Sequence, residues 1–108
     1  MMPRKHVQTI VSEYRRHLSR ILGDALDAVV LYGSQARGDA TGESDIDVLC
    51  LLKRPFDYGE MILRTEEASA ALSLEQDVVI STAFVTRSDY EKLNTPFLMN
   101  VRREGLTV

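Results

Sequence analysis

The sequence predicts a mixed α/β (α+β) fold in which helices cover a small sheet. Three observations lead to this prediction. Residues 4–22 place apolar side chains at helical spacing. Three short apolar runs, near 27–32, 45–53 and 77–85, have the length of buried strands. A helical segment at 57–75 separates the last two runs, and this alternation is typical of a mixed sheet.

The first half of the chain supplies one helix and two strands. The stripe of the helix at 4–22 consists of Val7, Ile10, Val11, Tyr14, Leu18, Ile21 and Leu22. Gly23 follows as a C-terminal cap. The first strand leads into Gly33-Ser34, and a short helical turn through 35–37 is expected to stop at Gly38. The second strand ends at Lys53-Arg54-Pro55, because proline cannot donate to a sheet ladder.

The second half supplies a helix, a strand and two short helices. The middle of the segment 57–75 is rich in helix-favouring residues. The run 77–85 is rich in β-branched residues, which favour a strand. A helix start follows at Ser88–Glu91, and a last short helix begins at Pro96 and ends at Gly105.

Composition narrows the class of protein. The 108 residues are enough for a single domain, 1–108, with one core. No apolar stretch approaches the ~20 residues of a membrane span, so no membrane association is expected. One cysteine fits a reducing cytoplasm, and we expect a cytoplasmic protein. The net charge of −3 argues against direct nucleic-acid binding.

The stretch 33–47 carries the candidate chemistry. Side chains alternate along a strand, so Asp45 and Asp47 share one face and can hold hard cations such as Mg²⁺. Gly33 allows a sharp turn and close approach of a ligand, and Ser34 begins a turn whose N–H groups face an anion. Cys50 lies an odd number of residues from Asp45 and Asp47, so its side chain points to the other face of the strand and is expected in the core. A phosphate-binding turn that faces a metal-binding carboxylate pair is the arrangement that phosphoryl or nucleotidyl transfer requires.

Asp77 is a candidate third carboxylate. It precedes the third apolar run as Asp45 and Asp47 precede the second. If the two strands are neighbours, the three carboxylates converge, and their repulsion calls for cations. The alternative is that Asp77 only begins a strand after a polar turn.

Gly33-Ser34, ten intervening residues and Asp45-Ile46-Asp47 resemble the GSX10DXD signature of the DNA polymerase β-like nucleotidyltransferase superfamily. The fuller motif through Gly38, the short chain and the ending from Pro96 to Gly105 are similar to the minimal nucleotidyltransferase (MNT) antitoxin group. The resemblance implies the small polymerase β-like nucleotidyltransferase fold.

The resemblance also implies roles for individual residues. Asp45 and Asp47 match the carboxylates that bind two Mg²⁺ ions, and Asp77 matches a third ligand that also acts as general base. Gly33 and Ser34 match the loop that binds the terminal phosphates of ATP or another nucleoside triphosphate. Arg37 is frequent in the group, where it contacts a phosphate or lies on the surface; both roles stay open.

Three functions follow from the resemblance. The first is transfer of AMP to a tyrosine hydroxyl of a HEPN-domain toxin, encoded next to this chain, which silences the toxin. The second is a non-catalytic antitoxin that blocks its partner sterically. The third is transfer to a small molecule such as an aminoglycoside, which is disfavoured because so short a chain has no separate substrate domain. A partner is expected to dock on exposed residues of the segment 38–44 and of the C-terminal segment.

Overall fold

The computed structural model describes residues 4–38 and 45–108. The described chain forms helices α1 (Arg4–Leu22), α2 (Ser34–Arg37), α3 (Tyr58–Gln76), α4 (Arg87–Lys92) and α5 (Pro96–Glu104), with a 3-10 turn at Gly23–Ala25. The strands are β1 (Leu26–Tyr32), β2 (Ile46–Leu52), β3 (Ile80–Thr86) and β4 (Leu106–Thr107). The predicted mixed α/β fold is confirmed.

The four strands form one mixed sheet in the order β3-β2-β1-β4. β1 is antiparallel to β2 and to β4, whereas β2 and β3 are parallel. Parallel neighbours need a crossover connection, which α3 supplies. As a result, the C-terminal end of β1 and the N-terminal ends of β2 and β3 meet at one edge of the sheet.

The sheet separates two apolar clusters. One face packs on α1 and α3, and its buried residues include the predicted stripe of α1, except the partly buried Ile21, together with Ile46, Val48, Cys50 and Leu52. The other face packs mainly on α5, through Leu49, Leu51, Leu98 and Val101. Cys50 therefore lies in the core, as its parity predicts. In the described part of the chain, no helix has both the length and the apolar content of a membrane span.

In the second half, the predicted start of the third strand is wrong, and one short strand was not predicted. The third strand begins at Ile80 rather than at Asp77, because Asp77 ends α3 in the left-handed conformation with φ 53°. Its N–H donates to the Ser73 carbonyl, and the connecting residues 77–79 then bring the chain back to the sheet. The last helix ends at Glu104, and β4 pairs with β1 beyond it, a strand that the sequence did not predict.

Candidate active site

Three strands bring a row of side chains to the shared edge of the sheet. Asp47 on β2 is in register with Tyr32 on β1 and with Ser81 on β3. Register partners project from the same face of a sheet, so Tyr32, Asp47 and Ser81 line one face. Asp45 stands two residues before Asp47, next to the start of β2, and is exposed. Asp47 is therefore on the face that the sequence predicts, whereas a shared face for Asp45, which precedes β2, stays a prediction.

Gly33 lies directly against the Asp47 carboxylate. Its backbone has φ 76° and ψ −157°, a region open essentially to glycine alone. A Cβ atom at this position would lie 2.5 Å from Asp47 Oδ2, far inside van der Waals contact. The sharp turn predicted at Gly33 is therefore also a point at which the backbone approaches the Asp47 carboxylate closely.

The turn after Gly33 is the short helix α2. The Gly33 carbonyl accepts hydrogen bonds from the N–H groups of Ala36 and Arg37, at 3.1 and 3.0 Å. Gly38 ends α2 in the left-handed conformation, as the sequence predicts. Phosphate binding by Gly33 and Ser34 stays a prediction. Residues 39–44 of the motif, which include most of the predicted docking segment 38–44, lie outside the described residues.

The electrostatics at Asp47 suit a bound cation. Burial raises the pKa of Asp47, the nearby Asp45 carboxylate raises this pKa further, and the Arg37 guanidinium lowers it. Burial, together with the negative charge of Asp47, raises the pKa of Tyr32 to about 12, so its phenol keeps its proton. A divalent cation between the two carboxylates would relieve their repulsion, and the donor oxygens are those that Mg²⁺ prefers. The residues present therefore fit this metal.

Asp77 lies at the same end of the sheet, but it does not belong to the row of side chains formed by Tyr32, Asp47 and Ser81. It caps α3 three residues before β3 begins, and the β3 residue beside Asp47 is Ser81. Within residues 4–38 and 45–108, no three His, Cys, Asp or Glu side chains form a group that could hold a metal ion. The role of Asp77 as third ligand and general base stays a prediction.

Arg37 connects α2 to the end of α5. Its Nη1 lies 3.2 Å from Glu104 Oε1, and the Glu104 side chain is only 17% exposed. The Arg37 guanidinium also lowers the pKa of Asp47. The guanidinium is therefore held by Glu104 at the end of α5, and phosphate binding by Arg37 stays a prediction.

Sequence reasoning missed Tyr32, Ser81 and Glu104. Tyr32 could have been identified from the sequence, because it is the last residue of the first predicted strand and directly precedes Gly33. Ser81 and Glu104 gave none, because strand register and the position of α5 depend on tertiary packing. Phe97, in the C-terminal segment, contacts Tyr32 edge to face with ring centroids 5.4 Å apart.

The chain matches known proteins over most of its length. The family model described as nucleotidyltransferase domain matches residues 11–103. Two relatives from Methanocaldococcus jannaschii are named as candidate protein adenylyltransferases. One is 35% identical over 92% of this chain and 95% of its own length. The other is 33% identical over 94% of this chain and 89% of its own length.

Solved structures share the fold at low sequence identity. A candidate nucleotidyltransferase from Sulfolobus solfataricus has a TM-score of 0.69 at 14% identity, covering 96% of this chain and 80% of its own. A toxin–antitoxin structure with AMP-PNP has a TM-score of 0.61 at 20% identity, covering 88% and 69%. A complex of tri-AMPylated Shewanella oneidensis HEPN toxin with MNT antitoxin has a TM-score of 0.60 at 17% identity, covering 94% and 70%. These similarities support the predicted polymerase β-like fold.

Proposed function

The chain belongs to the nucleotidyltransferase domain family, and from this premise we propose that it transfers AMP from ATP to a hydroxyl group on a partner protein. The partner we propose is a HEPN toxin encoded next to this chain, which is silenced when a tyrosine is modified. This chain would then act as the antitoxin, in the cytoplasm.

The close contact between Gly33 and the Asp47 carboxylate is the observation that carries this proposal. Nucleotidyl transfer needs cations beside the α-phosphate and a binding loop for the two phosphates that leave. Asp47 Oδ2 lies so close to Gly33 that no side chain could stand between them. A triphosphate on this turn would therefore lie against the carboxylates.

Each residue has a role in the proposal. Asp45 and Asp47 would hold two Mg²⁺ ions, and bound Mg²⁺ would supply charge neutralisation of the triphosphate and activation of the acceptor hydroxyl. Mg²⁺ commonly binds through one or two carboxylates plus substrate phosphates, so a two-carboxylate site is sufficient. Gly33 and Ser34 bind the terminal phosphates, and Arg37 contacts a phosphate oxygen. Asp77 is the candidate that the geometry supports least.

The proposed reaction forms one bond and breaks one. The acceptor oxygen attacks the α-phosphorus of ATP, and the bond from this phosphorus to the bridging oxygen of the β-phosphate breaks. Pyrophosphate leaves in line, on the side of Gly33 and Ser34. The proton of the acceptor hydroxyl passes to solvent water.

A protein acceptor is supported by two observations. The Methanocaldococcus jannaschii relatives are named for protein adenylyltransfer, and one structural neighbour is a complex with an AMPylated HEPN toxin. On this chain, the C-terminal segment exposes Phe97 and Met99, which are 44% and 50% exposed, and Phe97 contacts Tyr32 of the site. Interfaces typically centre on such apolar anchors, so α5 is the docking surface we propose.

The test uses the purified pair. The chain and the adjacent HEPN protein are incubated with ATP and Mg²⁺, and the intact mass of the partner is measured. We expect the mass to rise by one or more AMP units with the wild-type chain and to stay constant with Asp45→Asn. If RNase activity is silenced without a mass change, and Asp45→Asn silences it equally, the chain is a steric antitoxin instead.

A further inference from the structure

The strand order defines a donor side and an acceptor side of the site. Gly33 and Ser34 follow β1, which lies on one side of β2, and β3 lies on the other. In an in-line displacement the nucleophile enters opposite the leaving group. If pyrophosphate leaves over the β1 side, the acceptor hydroxyl enters over β3. This step depends on the proposed function.

The residue that β3 presents there is Ser81. It is in register with Asp47, so its side chain projects from the same face on the next strand, about 5 Å away. Ser81 is partly exposed, as an acceptor-facing residue must be. The next residue, Thr82, projects to the opposite face, where its hydroxyl is hydrogen-bonded to the hydroxyl of Tyr14.

We infer that Ser81, rather than Asp77, is the third side chain of the site and that its hydroxyl contacts the entering acceptor. Asp77 is confined by its position as the cap of α3, whereas Ser81 occupies the strand position beside Asp47. The site then has two carboxylates and one neutral hydroxyl.

A serine at this position orients the acceptor without acting as a base. Its hydroxyl can donate one hydrogen bond and accept two, so it can either donate to the acceptor oxygen or accept from the acceptor's O–H. Ser81 keeps its own proton, and the acceptor's proton still passes to water. Serine is also small and leaves room beside Asp47 for a bulky acceptor.

The placement of Ser81 can be tested without ATP or acceptor. A thiolate prefers soft cations, so Ser81→Cys should bind Cd²⁺ at least about tenfold more tightly than the wild type, measured by calorimetry. Cys50 is fully buried and does not compete. The gain should disappear when Asp47→Asn is added. Equal Cd²⁺ affinity in the wild type and Ser81→Cys would overturn the inference.

A second binding experiment uses Mn²⁺ to compare the contributions of Ser81 and Asp77 to the metal site. Ser81→Asp adds a carboxylate beside Asp47 and should tighten Mn²⁺ binding about tenfold, whereas Asp77→Asn should leave the affinity unchanged. Weaker Mn²⁺ binding by Asp77→Asn would assign the third position to Asp77 and contradict the inference. Should Ser81→Asp unfold, the Cd²⁺ arm decides, because a cysteine nearly matches serine in size.

The role of Ser81 towards the acceptor needs a kinetic measurement on the pair. Ser81→Ala should raise the KM for the partner or lower kcat about tenfold, with the ATP dissociation constant unchanged. Ser88→Ala, an exposed serine beyond the other end of β3, is the control and should have no effect. A Ser81→Ala variant with wild-type kinetics would contradict the acceptor contact. Absence of AMP transfer by the wild type, with the Cd²⁺ results as expected, would instead contradict the proposed function.

Discussion

Gly33 and the carboxylate of Asp47 occupy adjoining space, so that a Cβ atom on Gly33 would stand 2.5 Å from Asp47 Oδ2. The turn that is proposed to bind phosphate and the carboxylate that is proposed to bind metal are therefore one structural unit. Any side chain at position 33 must displace one of them.

Gly33→Ala tests this unit. The variant combines a clash with a backbone conformation that is essentially restricted to glycine, and we expect a loss of more than about 2 kcal/mol in the free energy of unfolding. ATP affinity should also fall at least about tenfold, because Asp47 must move. Calorimetry and denaturant unfolding measure the two effects.

Gly23→Ala is the matched control for Gly33→Ala. Gly23 also has a positive φ, 56°, but a Cβ atom on Gly23 would have no neighbouring atom within 4 Å. The substitution should cost only about 1–2 kcal/mol from backbone strain and leave ATP binding intact. If both variants lose ATP affinity equally, close contact with Asp47 is not the cause.

Asp47→Asn should change how stability depends on pH. The pKa of Asp47 in the metal-free folded protein lies above its ordinary value of 3.8. The folded state therefore binds more protons than the unfolded state in this window, and the wild-type free energy of unfolding falls as pH rises through it. Asp47→Asn lacks this loss, so its melting temperature in EDTA should rise relative to that of the wild type as the pH increases above the ordinary Asp pKa of about 4.

Saturating Mg²⁺ is the control for the Asp47→Asn comparison. The cation should stabilise the wild type and leave Asp47→Asn nearly unchanged, because ligands stabilise the state that binds them. A variant that is less stable than the wild type at neutral pH in EDTA would contradict the proposed repulsion between Asp45 and Asp47.

The pair Arg37 and Glu104 separates phosphate binding from surface packing. Arg37→Gln should raise the ATP dissociation constant about tenfold, since it removes a charge-assisted contact to phosphate. Glu104→Gln, which keeps the guanidinium, should bind ATP as well as or better than the wild type. Both should change the free energy of unfolding by no more than about 1 kcal/mol, as partly exposed ion pairs do. Wild-type ATP affinity in Arg37→Gln would assign Arg37 a surface role.

A substitution at Thr82 tests which side chains of β3 point towards the site and which point towards α1. Its hydroxyl lies 2.8 Å from Tyr14 Oη, and Tyr14 is fully buried, which raises the pKa of its phenol. Thr82→Val leaves a buried hydroxyl without this partner and should cost about 1–3 kcal/mol in unfolding free energy. Transfer kinetics should remain normal. Reduced transfer with unchanged stability would place Thr82, and not Ser81, on the face of the site.

The sequence was sufficient for the elements with strong periodicity. The stripe of α1 and the opposite faces of Asp47 and Cys50 were predictable, because burial of one face enforces a regular pattern. Gly33 and Gly38 were predictable too, since each marks a backbone turn that other residues resist.

The missed features depend on packing between distant segments. The apolar run after Asp77 has strand composition, but its first residues are used to bring the chain from α3 to the sheet. Composition alone does not separate connecting residues from paired ones. The register that sets Ser81 beside Asp47, and the two-residue strand β4, arise only when the strands assemble.

Transfer of the α-phosphoryl group of ATP, together with its nucleoside, is the step that defines the proposed function. To observe this step, the chain and its HEPN partner are incubated with Mg²⁺ and ATP that carries radioactive phosphorus at either the α or the γ position. We expect the partner to retain the α label and never the γ label, and we expect Asp47→Asn to abolish retention. Retention of the γ label, or equal α labelling by Asp47→Asn, would contradict nucleotidyl transfer at this site.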